Sequence, residues 1–148
     1  MLAAQREGNR LLAAALRELD LTPAWAETLV ILDERSPLTV KELGDLLVCE
    51  SDHPSRLVDR MARAGLLERT ALPSDRRAVH LRLTPSAQVL VAQVRAIEEE
   101  MYDFLEQAVP EEAINTVILT LSTLVSGQTA GLALERRKQH QADHTSPK

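Results

Sequence analysis

Between Gly65 and Pro85 the apolar residues stop recurring every three or four positions and begin to alternate, and this change of period constrains the fold more than any other feature of the chain. Leu66 to Leu72 and Ala78 to Thr84 read as two strands joined by Pro73, Ser74, Asp75, Arg76 and Arg77. Val79, Leu81 and Leu83 then point one way and His80 and Arg82 the other. Two strands this short are marginal alone in water, so the hairpin must lean on its flanking segments.

Those flanks carry the helical period. Leu2, Leu12, Leu16 and Leu19 mark a first helix that ends near Asp20. Thr22 before Pro23 is an N-cap followed by a proline whose missing N–H costs nothing there, and Trp25, Leu29 and Leu32 continue that second helix to about Glu34. Thr39 to Glu42 spells the T-x-x-E capping box of a short third helix with Leu43, Leu46 and Leu47 on its buried face. After Val48, Cys49 and Glu50, either Ser51 or Asp52 is expected to cap a fourth helix with Leu57, Val58, Met61 and Ala64 inside, ended by Gly65. Thr84 and Pro85 open a long fifth helix to about Gln107, seamed by Leu90, Val94, Ile97, Met101, Phe104 and Leu105. Pro110 begins a sixth, with Ile114, Val117, Ile118, Leu121, Leu124 and Val125, which grows polar toward Lys138. Residues 139–148 lack apolar content and are expected to be a disordered tail. The fold class is mainly α with a small β-hairpin.

The net charge of -5 argues at first against a nucleic-acid partner. Its distribution reverses the argument, because Ser51 to Arg82 holds seven arginines against four acids while the remainder is strongly acidic. A short capped helix, a tight turn and a helix with outward arginines make a helix-turn-helix, whose second helix enters the major groove by its N-terminal end. Ser51, His53, Ser55, Arg56 and Arg60 are the candidate DNA-facing residues of the fourth helix. Of these, Ser55 and Arg56 are the strongest candidates for base edges, since an arginine can donate twice to guanine. At the hairpin, Asp75, Arg76 and Arg77 form a charged tip suited to a minor groove.

The run R-L-V-D-R-M-A-R-A-G-L-L-E-R from Arg56 to Arg69, followed by P-S-D-R-R-A-V-H-L-R-L-T-P from Pro73 to Pro85, resembles the MarR family of bacterial regulators. The resemblance extends more loosely from the first helix to the sixth. It implies a six-helix winged helix-turn-helix homodimer in which residues 1–21 and 85–138 dimerise and residues 22–84 form the DNA-binding lobe. It also implies that Ser55 and Arg56 contact bases, and that Asp75 forms a salt bridge with the minor-groove arginine Arg77. Its partners would be a palindromic double-stranded DNA operator, a second copy of the chain, and a small-molecule effector whose arrival releases the DNA, the protein acting as a repressor. The stretch Glu50-Ser51-Asp52-His53-Pro54 departs from the family, which more often has small hydroxyl, amide or basic residues there. Its carboxylates repel phosphate, which keeps open an alternative role as a winged-helix protein-interaction module with reduced or lost DNA binding.

Other chemistries find little support. There is no Gly-rich phosphate loop, nucleophile elbow or paired-histidine zinc motif, so no enzymatic activity, cofactor or metal is expected. His140 and His144, four apart, lie in a polar segment beside only Asp143. Trp25 is a candidate for lining an effector cleft, although a lone tryptophan on an apolar helix face is more often core. The single thiol, Cys49, sits in the turn ahead of the fourth helix, where oxidation would displace that helix, but Glu50 and Asp52 would disfavour the thiolate. Met1 to Leu19 carries five charged residues, and no run approaches the length of a membrane span. A cytoplasmic protein with no membrane contact is expected.

Overall fold

The computed structural model describes the backbone of residues 2–49, 53–72 and 75–145, and their side chains except those of 72–78 and 140–145. The helices are α1 (Leu2–Arg17), α2 (Pro23–Arg35), α3 (Val40–Leu46), α4 (Pro54–Arg63), α5 (Pro85–Ala108), α6 (Glu111–Val125) and α7 (Thr129–Thr145). The strands are β1 (Leu38–Thr39), β2 (Leu67–Leu72) and β3 (Asp75–Leu83), arranged as an antiparallel sheet in the order β1-β3-β2. This is a winged helix-turn-helix head carried on long helices.

The change of period at Gly65 marks a real boundary. Thr84 joins both sides of it, capping α5 by accepting the Ala87 N–H at 3.2 Å while its hydroxyl donates to the Gly65 carbonyl at 2.7 Å. The same residue's N–H donates to Leu66 O at 3.1 Å, so the base of the hairpin and the start of α5 share one buried threonine. The core of the head is aliphatic, as the scarcity of aromatic residues requires. Leu16 of α1, Leu29 and Leu32 of α2, Leu43 of α3, Leu57, Val58 and Met61 of α4, Leu81 of β3 and Val94 of α5 are all buried in it.

Four expectations need correcting. The expected sixth helix is two, because the chain breaks at Ser126 and Gly127, where a φ of 72° suits a residue without a Cβ. Helix α7 continues to Thr145, into the segment expected to be disordered. Its Arg, Lys, Gln and Ala content favours helix, and polarity alone does not oppose it. A further strand, β1, pairs Leu38 with Leu81 and Thr39 with His80, too short for alternation to reveal it. Ala64, expected inside α4, is its exposed C-cap.

Helix α6 buries none of its side chains, leaving Val117, Ile118, Leu121 and Leu124 exposed. Tyr102, Phe104 and Leu105 near the end of α5 and Leu2 and Leu11 of α1 are exposed as well. Among the described residues, no single helix is long and apolar enough to cross a membrane.

Candidate nucleic-acid interface

The interface is built on the pair α3 and α4. Thr39 and Glu42 form the capping box foreseen from the sequence: Thr39 Oγ1 accepts the Glu42 N–H at 3.2 Å, and Glu42 Oε2 accepts the Thr39 N–H at 2.7 Å. That backbone bond, followed by the bond from the Thr39 hydroxyl, holds the Glu42 carboxyl below its usual range. At the start of α4 the cap is His53, without a side-chain cap bond, and Pro54 takes the first turn. Ser51 and Asp52, the expected caps, lie outside the described residues, so the Ser51 assignment gains no geometry.

Burial sorts α4 cleanly. Leu57, Val58 and Met61 are buried, whereas His53, Ser55, Arg56 and Arg60 are exposed. Residues 53, 56 and 60 follow three- and four-residue steps and share one side of the helix. Arg63, also exposed, extends that row by another turn and was missed by the sequence reading, which stopped at Arg60. Arg69 on β2 is paired instead with Asp59 of α4, tying the wing to the helix.

In the wing, Asp75, Arg76 and Arg77 belong to β3 rather than to the connection expected from the sequence. The register explains the difference: Ala71 lies opposite Val79 and Leu72 opposite Asp75, so residues 76–78 bulge from the ladder. Extra residues on one strand interrupt the alternation that sequence reasoning relies on. The side chains of Asp75, Arg76 and Arg77, and hence their expected salt bridge, lie outside the described residues.

Beneath the turn between α3 and α4 sits Glu27 of α2, which the sequence did not single out. Its Oε1 accepts the Val48 N–H and its Oε2 the Cys49 N–H, both at 2.8 Å. Arg137 of α7 pairs with the same carboxylate and donates from Nε to the Leu46 carbonyl at 2.8 Å. Its neighbour Arg136 donates to the Asp45 carbonyl at 3.1 Å. Arg35, the last residue of α2, donates in turn to the carbonyls of Arg136 and Arg137.

A cavity of about 210 Å³ opens beside this cluster, with apolar walls that include Leu16, Ala26 and Val94 and polar groups from Glu27, Cys49, Glu98 and Arg137. Trp25 is half-buried against the core and is not part of its lining, although its neighbours on α2 are. Burial, opposed by Arg95, pushes the Glu98 carboxyl up. Burial and then the Glu27 charge push the Cys49 thiol up to about 11, so it stays protonated at neutral pH. The sequence attributes a disfavoured thiolate to Glu50 and Asp52, which lie outside the described residues; among those described, burial comes first and Glu27 second. Among the described residues, no group of three or more His, Cys, Asp or Glu side chains is placed to hold a metal.

A capped α3, an arginine-faced α4 and a β-wing define a winged helix-turn-helix protein. Residues 21–79 match the MarR family model, and the chain belongs to the MarR family. It is similar to the helix-turn-helix-type transcriptional regulator YcgE of Bacillus subtilis (strain 168), with 33% identity over 67% of this chain and 65% of the relative. It is also similar to YsmB of the same organism, another helix-turn-helix-type transcriptional regulator, with 30% identity over 66% of this chain and 67% of the relative. Less than two thirds of YcgE is thus spanned. A mutant of MarR from E. coli, complexed with operator DNA, shares the fold with a TM-score of 0.72 and 24% identity, covering 82% of this chain and 87% of that one.

Proposed function

We infer that this protein is a homodimeric, sequence-specific DNA-binding transcriptional regulator in which α4 reads the major groove and the β2–β3 wing follows the minor groove. The observation that carries this reading is the division of α4 into a buried Leu57, Val58, Met61 side and an exposed row of His53, Arg56, Arg60 and Arg63. Arginine on such a row can donate to guanine edges and to phosphate, and Ser55 adds a hydroxyl. Family membership and the DNA-bound E. coli relative support the same role.

Dimerisation is supported by α6, whose exposed Val117, Ile118, Leu121 and Leu124 are an apolar surface that a second copy covers. Two heads related by a two-fold axis fit a palindromic operator. The cavity beside Glu27 and Cys49 offers a small-molecule effector a place at the junction of α1, α2, α5 and α7, and its occupation would release the operator and end repression.

Selection of bound genomic fragments, followed by titration of the best fragment across salt, tests the reading. Specific binding should exceed binding to random duplex by roughly a thousandfold or more and weaken steeply with salt. If no fragment is enriched and retention on DNA shows no salt dependence, the protein-interaction role becomes the better account.

A further inference from the structure

The C terminus of α3 is where the turn toward α4 begins, and α3 has no basic residue in its own last turn. The unsatisfied carbonyls and the negative end of the helix dipole there call for a donor carrying positive charge. Both requirements are met by α7. Arg136 serves the Asp45 carbonyl and approaches the Asp45 carboxylate at 3.6 Å, while Arg137 serves the Leu46 carbonyl. The next two backbone groups, the N–H donors of Val48 and Cys49, are taken by the two oxygens of one carboxylate, Glu27. Arg137 joins the two halves by pairing with that carboxylate. Four of the five positions from Asp45 to Cys49, all but the C-cap Leu47, are thereby held by side chains of α2 and α7.

This cluster is not an ordinary surface ion pair. The Glu27 side chain is only 11% exposed and that of Arg137 25%. A buried carboxylate with two backbone donors and a guanidinium has all its strong partners, and removing one leaves a charge or an amide uncompensated. Arg35 anchors the other side by donating to the carbonyls of Arg136 and Arg137, so α7 has little freedom to slide along the head.

We propose that Glu27, Arg136 and Arg137 are positioning residues for DNA reading: they fix the turn from which α4 departs, making the C-terminal helix part of the reading head. The proposal rests on the assignment of α4 as the DNA-reading helix. None of the three touches DNA; they act through the backbone of Asp45, Leu46, Val48 and Cys49.

The test uses the full chain and the variants Glu27→Gln, Arg137→Gln and Arg137→Lys, each checked for folding by circular dichroism. Amide hydrogen exchange at Val48 and Cys49 is measured beside affinity for a selected genomic fragment and for random duplex. Both Gln variants should speed exchange at Val48 and Cys49 and weaken the selected complex by about tenfold, with random-duplex affinity changing by less than about threefold. Arg137→Lys should recover part of the loss, since one ammonium keeps the charge without the fork that serves Leu46 and Glu27 together. Glu27→Gln is decisive in sign. It removes a negative charge, so a purely electrostatic role predicts tighter DNA binding and the clamp predicts weaker. Tighter or unchanged binding by folded Glu27→Gln overturns the proposal, as does faster exchange in Arg137→Gln with an unaltered ratio of specific to random affinity. Should Glu27→Gln fail to fold, Arg137→Gln tests the clamp through the ratio of selected to random affinity, since the loss of one positive charge alone weakens both duplexes alike and leaves that ratio unaltered. A wild-type protein that prefers no fragment overturns the DNA reading of α4 and the proposal with it, and the exchange rates then show separately whether the turn is clamped.

Discussion

Gly44 and Pro54 meet where α3 and α4 approach each other: a Cβ on Gly44 would stand 2.9 Å from Cγ of Pro54 and 3.4 Å from its Cβ. The proline that makes the start of α4 unusual in sequence is therefore packed against a bare backbone. Gly44→Ala gains helix propensity worth up to about 1 kcal/mol but forces the proline ring to move. Thermal stability should consequently change little, while affinity for a selected fragment should fall by roughly 1 kcal/mol as the start of α4 shifts. The double variant Gly44→Ala/Pro54→Ala should recover most of that loss. Undiminished affinity in the single variant would show that the helix crossing tolerates the methyl group.

On the proposed function, reading and positioning should separate between α4 and the wing. Arg56→Ala should cost roughly 1 to 3 kcal/mol on the selected site and leave random-duplex affinity nearly intact. Arg77→Ala should weaken both duplexes and lower the salt dependence by about one phosphate contact. Equal losses on both duplexes for Arg56→Ala would move Arg56 from base reading to backbone contact.

Leu121 lies on the uncovered face of α6 and is 40% exposed in the single chain. A carboxylate there costs an isolated helix little and an apolar interface a great deal. Leu121→Asp should shift the mass measured by light scattering from dimer toward monomer at micromolar concentration, with the helix content of the heads retained. A wild-type mass already equal to one chain would remove the dimer.

Cys49 should alkylate slowly. With its thiol near 11, raised first by burial and then by Glu27, only on the order of one molecule in a thousand carries the thiolate at pH 8. Iodoacetamide labelling should rise about tenfold per pH unit through pH 9 and 10, and Glu27→Gln should speed it at fixed pH. Rapid labelling at pH 7 would show that the thiolate is stabilised and would restore Cys49 as a redox candidate.

The elements that announced themselves in the sequence are those whose stabilisation is local. Thr22, Thr39 and Thr84 each cap the helix that follows, and each is recognisable from its next three residues. The buried side of α4 was legible for the same reason, since Leu57, Val58 and Met61 repeat within two turns. What escaped depends on distant partners. β1 exists because Leu38 and Thr39 meet Leu81 and His80. Glu27 resembles any charged residue on a helix until the turn at Val48 and Cys49 is folded against it. The bulge at residues 76–78 could not be read because the extra residues break the alternation that marks a strand.

Arg136 and Arg137 close on carbonyls 91 positions earlier in the chain. During synthesis the head emerges first and can collapse around its leucines, since domains fold as their residues become available. Its turn nevertheless waits for residues translated 91 positions later. On the proposal above, a chain stopped short of α7 would possess the helix-turn-helix without its final alignment, so the arrival of a helix made long after the head readies that head for use.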